Sequence, residues 1–203
     1  MNKIEIYVNE IIKIAKDDKH GYSQKNRNGT PDYDCSSLVI SCVDKSGIPV
    51  KSHGASYTGN IYNAFIKSGF IDVTKTINLV NGNGLVKGDI LLTPYKHTEI
   101  YTGNGNITGA RKDYDNKTGD SSGKEIETHK YKNYPWKYVL RYNENNNSVN
   151  MSSDRDNNNN IDVLVTDIIL GKYGNGTKRK KAIEEMGYNY KEIQKLVNAK
   201  LKK

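Results

Sequence analysis

Residues 32–39 read DYDCSSLV, and this stretch decides the fold of the larger part of the chain. Asp34 is a residue type that favours the N-cap position, and apolar residues recur after it at helical spacing. The pattern predicts a helix over Cys35–Ser46, ended by Gly47. Cys35 therefore lies in the first turn of this helix, where backbone N–H groups have no partner within the helix.

A cysteine in the first turn of a helix is a candidate nucleophile. The positive end of the helix dipole favours thiolate over thiol, and the free N–H groups there suit an oxyanion. Asp34 acts in the opposite direction, because a nearby negative charge raises the pKa of a thiol. The alternative interpretation of Cys35 is a buried small apolar residue.

Cys42 fits that alternative, because it lies among aliphatic residues on the same predicted helix. The two cysteines are then separated by roughly 10 Å along the helix axis. A disulfide needs Cα atoms within about 7 Å of each other. We therefore expect two free thiols, of which only Cys35 is placed for chemistry.

His97 is the candidate base. It opens a predicted strand over His97–Thr102, directly after an apolar, strand-like run. The other histidines, His20, His53 and His129, lie in polar segments that are typical of solvated surface histidines. A Cys–His pair brought together by the fold is the usual arrangement in a thiol hydrolase.

Helical patterns come first along the chain and strand patterns come second. Apolar residues at helical spacing predict further helices over residues 4–15 and Tyr57–Ser68. Short alternating segments separated by Gly and Asn then predict strands at Asp89–Thr93, His97–Thr102, Asn106–Ala110, Glu125–Thr128 and Tyr138–Tyr142. We therefore expect an α+β fold in which helices pack on a largely antiparallel sheet.

A compositional break divides the chain. Residues 143–160 read NENNNSVNMSSDRDNNNN, and such a segment cannot bury enough apolar surface to offset its ordering entropy. We predict one domain over residues 1–143, a flexible Asn-rich linker over 144–160 and a second domain over 161–203. Apolar stripes in the second domain predict three short helices.

The formal net charge is +8, and both ends of the chain are basic. A basic protein suits a polyanionic partner such as nucleic acid, an anionic membrane or a wall bearing teichoic acid. No nucleic-acid-binding motif, membrane-spanning run or signal peptide is recognisable. No group of His, Cys and Asp has metal-ligand spacing, so we expect neither metal nor cofactor.

Residues 1–142 contain the motifs DYDCSS at 32–37, GDI at 88–90 and HTEIY at 97–101. These motifs resemble those of the NlpC-type and CHAP-type papain-like cell-wall hydrolases. With GYSQKNRNG at 21–29 and YPWKYVLRY at 134–142, the chain resembles the phage peptidoglycan amidase branch more closely. The resemblance implies a papain-like catalytic domain. It implies Cys35 as nucleophile and His97 as general base and acid.

Tyr33, Asp34 and Ser36 flank Cys35, and we predict that they bind the substrate. The family usually has a further polar residue on the strand after the histidine strand, but residues 107–110 offer none that would orient an imidazole well. Glu99 lies two positions after His97 and so shares its face of the strand.

Relatives generally have a small residue at the position of Glu99, which makes its carboxylate a candidate third catalytic residue. Asp113, just beyond the next strand, is the alternative third residue. For Glu99 itself, the competing interpretation is an ordinary solvent-facing strand residue. The sequence leaves these interpretations open.

The C-terminal residues carry a resemblance of their own. ILGKYGNG at 169–176 and GYNY at 187–190 are similar to the CW-seven type of cell-wall-binding repeat, which implies binding to the muropeptide part of peptidoglycan. Tyr173, Arg179 and Tyr188 are the candidate contacts, because aromatic faces stack on sugars and Arg suits carboxylates. Purely structural roles for these residues are the alternative.

Together the resemblances imply an enzyme that cleaves an amide bond of bacterial peptidoglycan. The phage branch favours N-acetylmuramoyl-L-alanine amidase activity, and the wider NlpC group favours D-γ-glutamyl-diamino acid endopeptidase activity. A non-catalytic wall-binding protein is the alternative of another class. We expect peptidoglycan as the partner, no nucleic acid and no membrane, with synthesis in a host cytoplasm and action on the wall after release.

Met151 lies in the predicted linker, where packing gives no reason for a large apolar side chain. Translation from an internal start at Met151 would produce free copies of the C-terminal domain. Such copies would associate with the full-length chain and raise its apparent affinity for the wall. The alternative is a methionine tolerated in an unconstrained linker.

Overall fold

The computed structural model describes residues 2–144, 164–169, 171–185 and 188–201. The chain divides into two compact units, Met1–Asn147 and Ser148–Lys203. Residues 145–160 of the predicted linker, including Met151, lie outside the described residues.

The first unit begins with three helices, α1 (Lys3–Ile14), α2 (Cys35–Lys45) and α3 (Ile61–Lys67). The side chain of Asn2 caps α1 by accepting a hydrogen bond of 2.8 Å from the N–H of Glu5. The prediction for α2 is confirmed to within one residue. The predicted third helix was too long at its start, because Asn60 accepts the N–H groups of Ser56 and Tyr57 and holds them in a turn.

The strands form one antiparallel sheet in the order β1-β6-β2-β3-β4-β5. Their bounds are β1 (Phe70–Asp72), β2 (Ile90–Thr93), β3 (His97–Gly103), β4 (Asn106–Ala110), β5 (Ile126–Lys130) and β6 (Tyr138–Tyr142). The predicted mixture of helices and antiparallel sheet is confirmed. The edge strand β1 escaped prediction because three residues are too few for an alternating pattern.

Apolar side chains fill the space on both faces of the sheet. One face packs against the helices through a large cluster that includes Tyr7, Leu38, Phe65 and Ile100. The other face carries a smaller cluster, made of Ile77, Leu91, Ile107, Trp136 and Val139. Helix α2, which begins at Cys35, contacts β3 and β4 in the inner part of the sheet.

The predicted strand Glu125–Thr128 is displaced toward the C-terminus. The observed strand β5 runs from Ile126 to Lys130, and Ile107 of β4 pairs with His129 in its register. This shift matters for the site, because His129 becomes a strand residue whose side chain has a fixed direction.

The described residues of the second unit include helices over 164–169 (α4), Thr177–Glu185 (α5) and Tyr190–Lys200 (α6). The side chain of Asn189 caps α6 by accepting from the N–H groups of Lys191 and Glu192. The buried side chains are Leu164, Val165, Ile168, Ile183, Ile193 and Val197. Among the described residues, no helix is long and apolar enough to cross a membrane.

Candidate active site

Cys35 is the first residue of α2, and its thiol is almost fully buried, with 7% of the residue exposed. Asp34 caps the helix by accepting the N–H of Ser37 at 2.7 Å, while the Ser37 side chain accepts the N–H of Asp34. This reciprocal pair of bonds fixes the direction of the first turn. Cys35 and Cys42 are both free thiols, as the sequence predicts.

The surroundings of the Cys35 thiol raise its pKa to about 11, chiefly through burial and then through the charge of Asp34. Hydrogen bonds from the backbone of Thr98 and Ser36, together with the charge of Arg27, act in the opposite direction. The thiol form therefore predominates at neutral pH, so the start of the helix does not by itself produce a thiolate. Deprotonation requires a base.

Arg27 neutralises the charge beside the thiol, and sequence reasoning did not single it out. Its Nε lies 3.0 Å from Oδ2 of Asp34, and its Nη2 donates to Oγ of Ser36 at 3.0 Å and to the carbonyl of Ser56 at 2.6 Å. One guanidinium thus ties the loop before α2 to the helix start and to the segment before α3. Arg27 was not singled out because a charged residue in a polar loop is ordinarily solvated and indicates no partner.

His97 opens β3, and a carboxylate on the same strand holds its ring. Nε2 of His97 lies 2.8 Å from Oε1 of Glu99, whose side chain is 3% exposed. Burial raises the pKa of the Glu99 carboxyl, but hydrogen bonds from His129 and His97 outweigh burial and lower it to about 2. Glu99 is therefore an anion at neutral pH and accepts the Nε2–H of His97, which leaves Nδ1 of that ring for another proton.

His129 is the second partner of Glu99, and the prediction that it is a solvated surface histidine was wrong. Its Nε2 lies 3.0 Å from Oε2 of Glu99, and its side chain is 15% exposed. The sequence interpretation failed because β5 extends two residues further than predicted and carries His129 onto the face of the sheet that Glu99 occupies.

Aromatic rings enclose the other side of His97. The ring of Trp136 stacks on it with centroids 5.9 Å apart and an interplanar angle of 20°, and Tyr134 lies at 5.2 Å. Both aromatic residues belong to the segment before β6, and Trp136 is 4% exposed. These two rings leave the imidazole little freedom to rotate.

A cavity of about 310 Å³ contains Cys35, His97 and Glu99 in its wall. Aromatic and cationic side chains supply most of the remaining lining, namely Tyr22, Tyr114, Tyr134, Trp136, Lys96, Arg111, Lys112 and Lys132, together with Ile107. The cavity therefore presents positive charge and flat apolar surfaces around the thiol and the imidazole.

Glu125 joins the two loops that border the cavity. One of its carboxylate oxygens accepts the N–H of Tyr22 at 2.7 Å, and the other accepts the N–H of Tyr114 at 2.8 Å. Gly21 permits this approach, because a Cβ there would lie 2.7 Å from a carboxylate oxygen of Glu125. Glu125 is fully buried and, like Arg27, was not recognised from the sequence.

Asp113, the alternative third residue, does not contact His97. Its Oδ1 accepts the backbone N–H groups of Asp115 and Asn116 within its own loop. Carboxylate oxygens of Asp113, Asp115 and Glu125 lie within 4.8 Å of one another. The sequence spacing did not indicate this acidic group, because the fold brings Glu125 to the other two residues. Both carboxylate oxygens of Glu125 already accept hydrogen bonds from backbone N–H groups.

Three residues predicted to bind substrate lie beside Cys35 without lining the cavity. Asp34 and Ser36 are buried at 3% and 2% exposure and bond to each other at 2.9 Å. Tyr33 packs against the main apolar cluster. Asp34 and Ser36 thus help to hold the helix start, and substrate binding by the three residues stays a prediction.

In the second unit, two of the predicted wall contacts, Tyr173 and Tyr188, are partly buried against the apolar cluster. Arg179 donates to the carbonyl of Gly174 at 3.0 Å and to Oδ1 of Asn175 at 2.6 Å, so it organises the turn between α4 and α5. Tyr188 also lines a separate cavity of about 730 Å³ with Lys180, Glu184, Asn189, Tyr190 and Lys191.

Comparison with protein families follows the same division of the chain. Residues 18–108 match the endolysin-like domain, and residues 162–201 match the CW_7 repeat. The first match contains Cys35, His97 and Glu99, and the second contains Tyr173, Arg179 and Tyr188. A comparison with curated protein sequences gave no match.

Solved structures resemble the chain over 70% of its length. The peptidoglycan hydrolase RipB from Mycobacterium tuberculosis has 19% identity and a TM-score of 0.44, with 67% of its own chain covered. NlpC1 and NlpC2 from Trichomonas vaginalis each have 17% identity, with TM-scores of 0.42 and 0.35. The chain spans less than half of these two proteins, covering 44% and 46% of them.

Proposed function

We propose that this protein is a peptidoglycan hydrolase that cleaves an amide bond with Cys35 as nucleophile. The observation that carries the proposal is a thiol at a capped helix start that shares a cavity with an imidazole held by a carboxylate. The match to the endolysin-like domain supports the same conclusion, because it covers Cys35, His97 and Glu99.

The hydrogen bonds support a defined order of proton transfers. Because Glu99 holds Nε2–H of His97, Nδ1 takes the proton from the Cys35 thiol as sulfur attacks the amide carbonyl. Backbone N–H groups in the first turn of α2 stabilise the oxyanion. His97 then protonates the amine as it leaves, and a water molecule hydrolyses the thioester to a carboxylic acid and the original thiol.

The lining of the cavity suits an anionic peptide. Lys96, Arg111, Lys112 and Lys132 surround the thiol with positive charge, and the stem peptide of peptidoglycan carries several carboxylates. The tyrosines and Trp136 add flat surfaces for a sugar or for the apolar parts of the peptide. The cationic lining therefore attracts the anionic stem peptide toward the thiol and the imidazole.

The residue Glu99 acts as the third catalytic residue, and Asp113 does not. Of these two carboxylates, Glu99 bonds to the imidazole from within β3, whereas Asp113 bonds to its own loop. Residues 107–110 of the strand that follows, where the family usually has its orienting residue, hold apolar and small side chains and Thr108. The orienting carboxylate lies on the histidine strand itself.

The second unit is a three-helix domain that binds the wall through Tyr173, Arg179 and Tyr188. The match of residues 162–201 to the CW_7 repeat supports this proposal. Free copies that begin at Met151 would associate with the full-length chain and add binding sites. Intact-mass analysis of the untagged product tests this idea, and a single species at 22.9 kDa contradicts it.

The bond that is cut is the one between N-acetylmuramic acid and L-alanine, and the D-γ-glutamyl bond to the diamino acid is the alternative. Purified muropeptides of both kinds should be digested and the fragments identified by mass spectrometry. A free stem peptide with an L-alanine amino terminus supports the amidase. A dipeptide left on the glycan supports the endopeptidase, and no cleavage at all contradicts the hydrolase.

A further inference from the structure

Glu99 reaches two histidines because the strand between them carries no side chain in its path. Glu99 lies on β3 and His129 on β5, with β4 between these strands. A Cβ on Gly109 of β4 would lie 2.6 Å from Cγ of Glu99. Gly109 therefore leaves the space through which the carboxylate crosses β4, and any larger residue there would displace it.

Both ring nitrogens of His129 face oxygen atoms that only accept hydrogen bonds. Nε2 lies 3.0 Å from Oε2 of Glu99, and Nδ1 lies 2.9 Å from the carbonyl oxygen of Lys130. A neutral imidazole has one N–H group and would leave one nitrogen lone pair against an oxygen. Only the imidazolium form donates to both acceptors.

The charges around His129 agree with this protonation state. Burial lowers the pKa of His129, but the hydrogen bond to Glu99 and its negative charge outweigh burial and raise the pKa above its ordinary value. Arg111, which follows β4, acts in the opposite direction, and it is paired with Glu127 of β5. Glu99 is therefore the dominant charged neighbour of His129.

We propose that His129 is a positioning residue for the reaction, whose imidazolium fixes Oε2 of Glu99 so that Oε1 holds Nε2–H of His97. This inference rests on the proposed function of Cys35 and His97. Without His129, a buried carboxylate would keep one oxygen without a partner, which is costly, and Glu99 would rotate or take up a proton. Either change releases His97 from the tautomer that receives the thiol proton.

The arrangement also balances charge during the reaction. The His129 imidazolium and the Glu99 carboxylate form a neutral pair while His97 is neutral. When His97 accepts the proton from Cys35, the same carboxylate lies against the new imidazolium and stabilises it. His129 acts through Glu99 and makes no contact with substrate in this proposal.

The test compares His129→Gln with His53→Gln, a matched control at another partly buried histidine that bonds to the Ser68 side chain at 2.8 Å. On a soluble muropeptide, we expect His129→Gln to lower kcat at least tenfold with KM changed less than twofold. The control should stay within twofold of the unmodified protein. In the Glu99→Gln background, His129→Gln should cause less than a further twofold loss, because its effect passes through Glu99.

Nitrogen NMR of the histidine rings in the Cys35→Ala protein gives a readout that does not depend on activity. The midpoint of His129 titration should lie higher when Glu99 is present than in the Glu99→Gln variant. An equal midpoint in both, or normal kcat in His129→Gln, overturns the positioning role. A different result would contradict the proposed function, namely retained hydrolysis in the Cys35→Ala protein.

Discussion

Oε1 of Glu99 accepts a hydrogen bond of 2.8 Å from Nε2 of His97, two residues earlier on the same strand. Side chains at such positions share a face of a strand, but they are usually too far apart for short groups to meet. Here the carboxylate lies flat over Gly109 and bonds to both His97 and His129. The orientation of the candidate base therefore depends on an ionised group that is buried in the sheet.

Replacing the nucleophile should abolish the chemistry without unfolding the protein. Cys35→Ala removes a thiol at the edge of the core, so we expect loss of wall lysis with a retained circular dichroism spectrum. Cys42→Ala is the matched control, since Cys42 is buried at 1% exposure on the same helix. It should keep most of the activity after correction for stability, and turbidity loss of a wall suspension measures both variants.

Replacing the carboxylate should lower turnover more than substrate binding. Glu99→Gln removes the charge that stabilises protonated His97, so kcat should fall at least tenfold on a soluble muropeptide. Asp113→Asn is the control, because Asp113 bonds only to its own loop among the contacts described for it. If the Asp113 variant loses activity and the Glu99 variant does not, the assignment of the third residue is reversed.

The reactivity of the thiol should depend on Arg27. Arg27→Gln leaves the Asp34 charge unbalanced, and its loss raises the pKa of Cys35 further above its ordinary value. The rate of alkylation by iodoacetamide should therefore rise at a higher pH than in the unmodified protein. Lys25→Gln, in the same loop, should leave the profile unchanged. An unchanged profile in Arg27→Gln would show that the guanidinium does not tune the thiol.

The pair formed by Glu99 and His129 should stabilise the folded protein most within a limited pH range. Folding lowers the pKa of Glu99 from 4.5 to about 2, so its contribution is complete above pH 4.5 and is lost as the pH falls. Folding raises the pKa of His129 from 6.5, so its contribution is complete below pH 6.5 and is lost as the pH rises.

The difference in free energy of unfolding between the unmodified protein and His129→Gln should therefore be largest between pH 4.5 and 6.5. Denaturant titrations followed by the fluorescence of Trp136, the single tryptophan of the chain, measure this difference. Because Trp136 stacks on His97, the signal reports on the first unit. A difference that does not change with pH contradicts the ionic interpretation.

The two units should separate binding from chemistry. A fragment of residues 160–203 should sediment with purified walls without lysing them. A fragment of residues 1–143 should cleave soluble muropeptides but lyse whole cells poorly, because it lacks residues 162–201, which match the CW_7 repeat. Absence of the 160–203 fragment from the wall pellet contradicts the binding role. Retained lysis by the 1–143 fragment makes the second unit dispensable.

The sequence by itself determined the elements whose signals are local. The cap at Asp34 and the residues after it predict α2 because a helix start depends on a few neighbouring residues. The short strand-like segments after Asp89, separated by Gly and Asn, predict the strands for the same reason. The location of Cys35 in a first turn and of His97 at a strand start followed directly from these local patterns.

Only the tertiary structure decided the partners of those residues. His129 lies 30 positions after Glu99, and their contact depends on the register of β3, β4 and β5 and on the missing side chain at Gly109. Arg27 meets Asp34 because a loop folds back on the helix start. A strand register is set by the packing of the whole sheet, so a one-residue shift at β5 would turn His129 to the opposite face and no local pattern reveals that choice.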